Sequence, residues 1–115
     1  VDSNPEAVAI VKDNVDSCGF NKESRVLCMD SLEYLKVAKA GLDIVFIDPP
    51  YRMGIVEKAL ELVESKLNDG AIIVCEHEKE LELGESYGRL KLHKRYKYGK
   101  TALTVYKIPM KEVDY

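Results

Sequence analysis

Asp43-Ile44-Val45-Phe46-Ile47-Asp48-Pro49-Pro50-Tyr51 is the stretch that decides the fold. A short, β-branched, apolar run reads as a strand buried on both faces. It stops at an acid, two prolines and an aromatic ring. Proline has no backbone N–H, and Pro49 biases Asp48 away from helix. The strand therefore ends in a stiff loop holding a carboxylate, a free carbonyl and a flat ring. In open α/β sheets that carboxyl edge is where ligands bind. Such a corner suits an exocyclic amino group on a flat heterocycle, with two acceptors for its hydrogens and a ring to stack on. A plain structural alternative is a Pro-Pro turn with Tyr51 covering the core.

Outward from this strand, helix and strand patterns alternate. Asn4 can cap a helix over about Pro5–Ser17, with proline at its first position and Val8, Val11 and Val15 on one face. Arg25–Met29 reads as a short strand. Asp30 with Glu33 forms a capping-box pattern opening a helix to about Lys39. Val56, Ala59, Leu60, Val63 and Leu67 form the apolar stripe of a helix over about 54–67, and Ala71–Cys75 reads as a second buried strand. Residues 76–89 are polar, and Leu90–Tyr98 and Thr101–Lys107 form a hairpin around Gly99-Lys100. The pattern predicts one α/β domain over residues 1–115, with helices on both faces of a mostly parallel sheet closed by an antiparallel hairpin.

The 115 residues are 46% hydrophobic and 32% charged, ordinary for a globular chain, and net charge −3 makes no global case for nucleic-acid binding. No apolar run approaches the roughly 20 residues needed to span a bilayer, and no signal-peptide pattern is present. The expectation is a cytoplasmic protein with no membrane partner. Cys18, Cys28 and Cys75 lack metal spacing, and the two in strand-like runs are expected to be buried free thiols. No metal site is expected. The chain opens on Val1 and enters a helix almost at once, which suggests that a strand preceded it and that the polypeptide is a fragment.

Three acids fall at one level of the predicted sheet: Asp2, Asp30 after the Arg25–Met29 strand, and Asp48. Acids after successive parallel strands suit a ligand bearing ribose hydroxyls and an amino-substituted ring. Singly, Asp30 is equally a helix cap and Asp2 a chain-end acid. Glu76, after the Ala71–Cys75 strand, either borders the pocket or lies on the surface. His77-Glu78 does not begin a zinc-protease motif, because position 81 is Leu.

Val1-Asp2-Ser3-Asn4-Pro5-Glu6-Ala7, Met29-Asp30-Ser31 followed by Leu35, and Asp48-Pro49-Pro50-Tyr51-Arg52-Met53-Gly54 resemble class I S-adenosylmethionine-dependent methyltransferases. Within that class the chain is most similar to the RsmD-type enzymes, which methylate the guanine N2 amino group of small-subunit (16S) ribosomal RNA. The likeness extends through Gly70–His77 and the hairpin. It implies a Rossmann-like sheet, S-adenosyl-L-methionine as cofactor and ribosomal RNA of the small subunit as partner. It also implies roles: Asp48, Pro49 and Tyr51 catalytic; Asp2 and Ser3 at the cofactor's ribose; Asp30 at its adenine amino group, with Ser31 and Leu32 lining that pocket. Pro50 and Arg52 would contact substrate. The family's glycine-rich cofactor loop is matched by none of the seven glycines. The resemblance would place it upstream of Val1, together with two strands, so the polypeptide alone is expected to be inactive. Strand edges exposed by that gap would pair with each other or with a second copy, giving a homodimer.

Six basic residues from Arg89 to Lys100, with no acid among them, interleave with His93, Tyr96 and Tyr98. Arg95 and Lys97 are the expected phosphate contacts there; a lysine-protected edge hairpin is the plain alternative. The Asp-Pro-Pro-Tyr loop separates guanine N2 from adenine N6 poorly, so an adenine-N6 methyltransferase of DNA or RNA is the enzymatic rival. A non-catalytic module that binds RNA or protein is the rival of another class.

Overall fold

The computed structural model describes residues 1–51 and 53–110. The chain divides into two compact units, Val1–Val37 and a second beginning at Ala38.

In the first unit, α1 (Pro5–Ser17) starts where Asn4 accepts the Glu6 N–H at 2.9 Å and the Ala7 N–H at 3.4 Å. Its inward stripe is narrower than the valine spacing predicts: Val8 is buried, while Val11 is exposed. The expected Arg25–Met29 strand contracts to one isolated parallel bridge, Asp2 with Cys28. The Asp2 N–H donates to Leu27 at 3.1 Å, and the Met29 N–H donates to Asp2 at 3.0 Å. Cys28 is exposed, not buried as expected, because this segment joins no sheet that would cover it. The helix α2 (Ser31–Val37) is shorter than its pattern suggested. Asp30 caps it by accepting the Glu33 N–H at 3.0 Å, but the reciprocal half of the box gives way to a Glu33–Lys36 pair at 2.9 Å.

The second unit is a five-stranded sheet. It runs from β1 (Leu42–Ile47) through α3 (Ile55–Val63) and a 3₁₀ turn (Glu64–Lys66) into β2 (Leu67–Glu78). Then come β3 (Ser86–Tyr87), β4 (Leu90–Tyr98) and β5 (Thr101–Lys107), in the spatial order β1-β2-β5-β4-β3. Helix α3 buries Val56, Ala59, Leu60 and Val63, as its stripe predicts. Leu60 and Val63 are fully covered, each contributing about 1.5–3 kcal/mol from apolar burial. The core face of the sheet carries Ile47, Ala71, Ile73, Cys75, Ala102 and Tyr106. Tyr106 meets Tyr87 edge-on at 5.6 Å, and its hydroxyl donates to the Gly84 carbonyl at 2.6 Å.

The α/β class and the closing hairpin agree with the sequence, and Tyr98 pairs with Thr101 across the expected Gly99-Lys100 turn. Two expectations are corrected. Within this sheet, among the described residues, only β1 and β2 pair in parallel, so antiparallel pairing dominates it. And β1 is an edge strand buried on one side alone, with Ile44 77% and Phe46 61% exposed. Its apolar sequence meets the two-sided pattern without a second layer at these side chains. No helix among the described residues is long and apolar enough to cross a membrane.

Candidate functional site at the carboxyl ends of β1 and β2

The two parallel strands run in register, Phe46 beside Val74 and Ile47 beside Cys75. Asp48, the first residue past β1, therefore stands beside Glu76, which lies within β2 two residues before its end at Glu78. Cys75 and His77 point into the core, so Glu76 lies on the opposite face by strand alternation. The Asp48 charge raises the pKa of Glu76 above the ordinary 4.5, with lesser effects from partial burial and from a hydrogen bond between the two carboxyls. That bond exists only when one carboxyl carries a proton.

The Asp48–Tyr51 corner is not packed into the core: Asp48 and Pro50 are exposed and Pro49 half-buried. Tyr51 is 41% exposed, so it does not serve as a core lid. Its hydroxyl is hydrogen-bonded to the Thr101 hydroxyl at 3.0 Å, which ties the loop to the first residue of β5. Two prolines restrict this corner, a tether holds its far end, and Asp48 stands exposed just past the carboxyl end of β1. Arg52 lies outside the described residues.

The same face continues sideways across the sheet. Leu103 of β5 stands opposite Glu76, and Tyr96 of β4 opposite Leu103; Thr101 stands opposite Glu78, and Tyr98 opposite Thr101. The Tyr96 and Tyr98 rings stack at 6.3 Å with 10° between planes, and Lys94 Nζ sits 4.8 Å over Tyr96. Arg95 and Lys97 go to the other face, opposite Thr104 and Ala102, whose side chains are buried. There they line a hollow of about 300 Å³ with His77. The Arg95 guanidinium donates to the Leu83 carbonyl at 2.6 Å. His77 is buried: its Nδ1 donates to the Glu78 carbonyl at 2.8 Å, and its Nε2 meets the Thr104 hydroxyl at 2.8 Å. A carbonyl can only accept, which assigns the proton to Nδ1.

In the basic run, Arg89 is committed to structure. It donates to the carbonyls of Glu64 at 2.8 Å and Leu67 at 3.0 Å and pairs with the Glu64 carboxylate at 2.7 Å. Those carbonyls end the helix–3₁₀ segment and need such partners. In the first unit, Asp2 Oδ1 accepts the Asn4 N–H at 2.8 Å, while Asp30 spends one oxygen on its cap. Both carboxylates are exposed, as is Ser3; Leu32 is half-buried. Sequence reasoning left Glu76 between a pocket border and the surface, with no firm role. Its signal was an acid directly after a buried strand, the same signal that marked Asp48.

Similarity to known proteins follows these features. A Bacillus subtilis protein, YlbH, whose name describes it as an rRNA methyltransferase, is 31% identical over 112 residues, covering 93% of this chain and 61% of YlbH. The ribosomal RNA small subunit methyltransferase D of Escherichia coli K12 is 32% identical over 85 residues, covering 72% of this chain and 43% of that protein. The chain thus spans under two thirds of these curated relatives. A Streptococcus pyogenes protein titled only as conserved and hypothetical superposes with TM-score 0.85 at 28% identity, covering 91% of this chain and 67% of its own. A Haemophilus influenzae structure titled as a methylase superposes with TM-score 0.82 at 25% identity, covering 93% and 69%. With the family described as "Conserved hypothetical protein 95" matching residues 1–107, the chain belongs to that family, the RsmD type.

Proposed function

We propose that the chain carries the base-gripping corner of an RNA guanine-N2 methyltransferase acting on small-subunit ribosomal RNA, with S-adenosylmethionine as methyl donor. The observation that carries this is the exposed Asp48-Pro49-Pro50-Tyr51 corner, held open at the sheet's carboxyl edge by the Tyr51–Thr101 bond. The names of the relatives support it.

A guanine amino nitrogen is a poor nucleophile because its lone pair is delocalised into the ring. With Asp48 and the Pro49 carbonyl each accepting one N–H, the nitrogen moves towards tetrahedral geometry and its lone pair is directed. Tyr51 holds the face of the base and Pro50 borders it, with Arg52 as a phosphate contact. Orientation and electrostatics of this kind contribute about 7–11 kcal/mol in favourable cases. The target base must leave its stack to enter. For the cofactor, Asp2 and Asp30 fit: each exposed carboxylate is oriented by a backbone N–H, and carboxylates suit ribose hydroxyls and an adenine amino group. Ser3, Ser31 and Leu32 would line that site. When bound, S-adenosylmethionine supplies an electrophilic methyl group on a sulfonium.

For RNA contacts, the Lys94, Tyr96 and Tyr98 side of the hairpin continues the Asp48–Glu76 face, so we favour it over Arg95 and Lys97. A homodimer through the open edge of β1 is part of this proposal for the 115-residue chain, and sedimentation of that polypeptide tests it.

The decisive test is methyl transfer from S-adenosylmethionine to small-subunit rRNA by the complete gene product, with nucleoside analysis of the product. N2-methylguanosine is expected. N6-methyladenosine would favour the enzymatic rival. No transfer, together with no heat of S-adenosylmethionine binding, would favour a non-catalytic module.

A further inference from the structure

Glu76 has no part in the chemistry above, yet the fold puts it beside the key carboxylate. The in-register pairing of Ile47 with Cys75 places Asp48, just past the end of β1, beside Glu76 near the carboxyl end of β2. Glu76 is half-buried, so it keeps a path to water. We propose that Glu76 is a positioning residue that acts through Asp48, receiving the proton released from the amino nitrogen during methyl transfer. This rests on the amino-methylation reading.

The proton balance requires such a place. The amino nitrogen's lone pair forms the N–C bond while the donor's C–S bond breaks, and that bond's electron pair leaves on a neutral thioether sulfur. The nitrogen then carries one proton too many. That proton moves along the N–H···Asp48 hydrogen bond and settles on Glu76, whose proton affinity the Asp48 charge raises. From Glu76 it passes to water.

Among the described residues, few other groups stand around Glu76. β1 contributes Asp48, and Glu78 lies two residues further along β2. On β5 the facing residue is Leu103, which does not titrate. On β4 it is Tyr96, with Lys94 over its ring.

Two measurements test the proposal. In carbon-detected NMR of the chain, Glu76 titrates above 4.5, and Asp48→Asn returns it towards 4.5. In methyl transfer by the complete gene product, Glu76→Gln keeps a hydrogen-bonding partner for Asp48 but cannot take the proton. It should lower kcat about tenfold, less than the loss of a directly acting base, with KM unchanged. The acid limb of the rate profile, set by Glu76 in the parent, should move to lower pH, and Glu76→Asp should restore part of the rate. Ordinary titration of Glu76 that ignores Asp48→Asn overturns its coupling to Asp48. Parental kcat and pH profile in Glu76→Gln overturn the role. If the parent transfers no methyl group although Glu76 titrates above 4.5 and responds to Asp48→Asn, the methylation reading has failed and the role falls with it, while the influence of Asp48 on Glu76 stands.

Discussion

Tyr51→Phe deletes a single oxygen, the one that joins the Asp48–Tyr51 loop to Thr101 at 3.0 Å. A neutral hydrogen bond contributes about 0.5–1.5 kcal/mol net. Because Tyr51 is 41% exposed, water replaces part of the lost bond, so the lower half of that range, about 0.5–1 kcal/mol, applies here. Thr101→Val removes the other partner and keeps a β-branched side chain in the strand. Urea unfolding of the parent, both single variants and the double variant gives the coupling, expected at about 0.5–1 kcal/mol. Since the untethered loop must return to this position before the base can bind, the same energy lowers kcat/KM about two- to fivefold in either single variant. Tyr51→Ala also removes the ring and forfeits a further ~1–3 kcal/mol of stacking on the base. Strict additivity of the two single variants would refute the tether. Equal losses in Tyr51→Phe and Tyr51→Ala would refute the stacking role of the ring.

Asp48→Ala should nearly abolish turnover while S-adenosylmethionine affinity, read by calorimetry, stays close to the parent's; equal losses in both would count against its contact with the amino group. Arg89→Ala should cost about 2–3 kcal/mol in chemical unfolding, mostly from the two charge-assisted bonds to the carbonyls of Glu64 and Leu67. The ion pair adds little because Arg89 is 45% exposed. Glu64 is held below its ordinary 4.5, chiefly by its side-chain hydrogen bond from Arg89. Its share of stability is therefore present above pH 4.5 and lost as pH falls through the lower folded value, so the gap between Arg89→Ala and the parent should narrow in acid. Lys94→Gln with Tyr96→Ala should weaken RNA binding and reduce its salt dependence, read by filter binding across salt, whereas Arg95→Ala should lower stability more than affinity. The reverse ranking would return the RNA to the other face of the hairpin. Cys75 should resist alkylation in the folded chain, since burial pushes its thiol up to about 12, while Cys18 and Cys28 react.

Much of the second unit was legible because its signals are local. The α3 stripe, the apolar run of β1 and the Gly99 turn each declare themselves within a few residues, and the helix periodicity was borne out at Val56, Ala59, Leu60 and Val63. The Asp48–Tyr51 corner was legible for the same reason, since proline restricts its own backbone and the residue before it. The strand expected at Arg25–Met29 failed because a strand requires a partner, and among the described residues its one ladder contact is Asp2 with Cys28.

Composition and spacing by themselves settled the helices, the strands of the second unit's parallel pair and hairpin, the helix caps and the stiff acid-Pro-Pro-Tyr corner, all of which follow from short-range sterics and hydrogen bonding. Only the tertiary structure decided which faces meet. A register shift between Leu92 and Lys94 inverts the alternation begun at Leu90, turning Lys94, Tyr96 and Tyr98 to the side of Glu76 and sending Arg95 and Lys97 away. One extra residue in a ladder of period two flips every side chain beyond it, and nothing in the local sequence marks where it falls. The neighbourhood of Asp48 and Glu76, 28 positions apart in the chain, likewise exists only because two parallel strands pair in register.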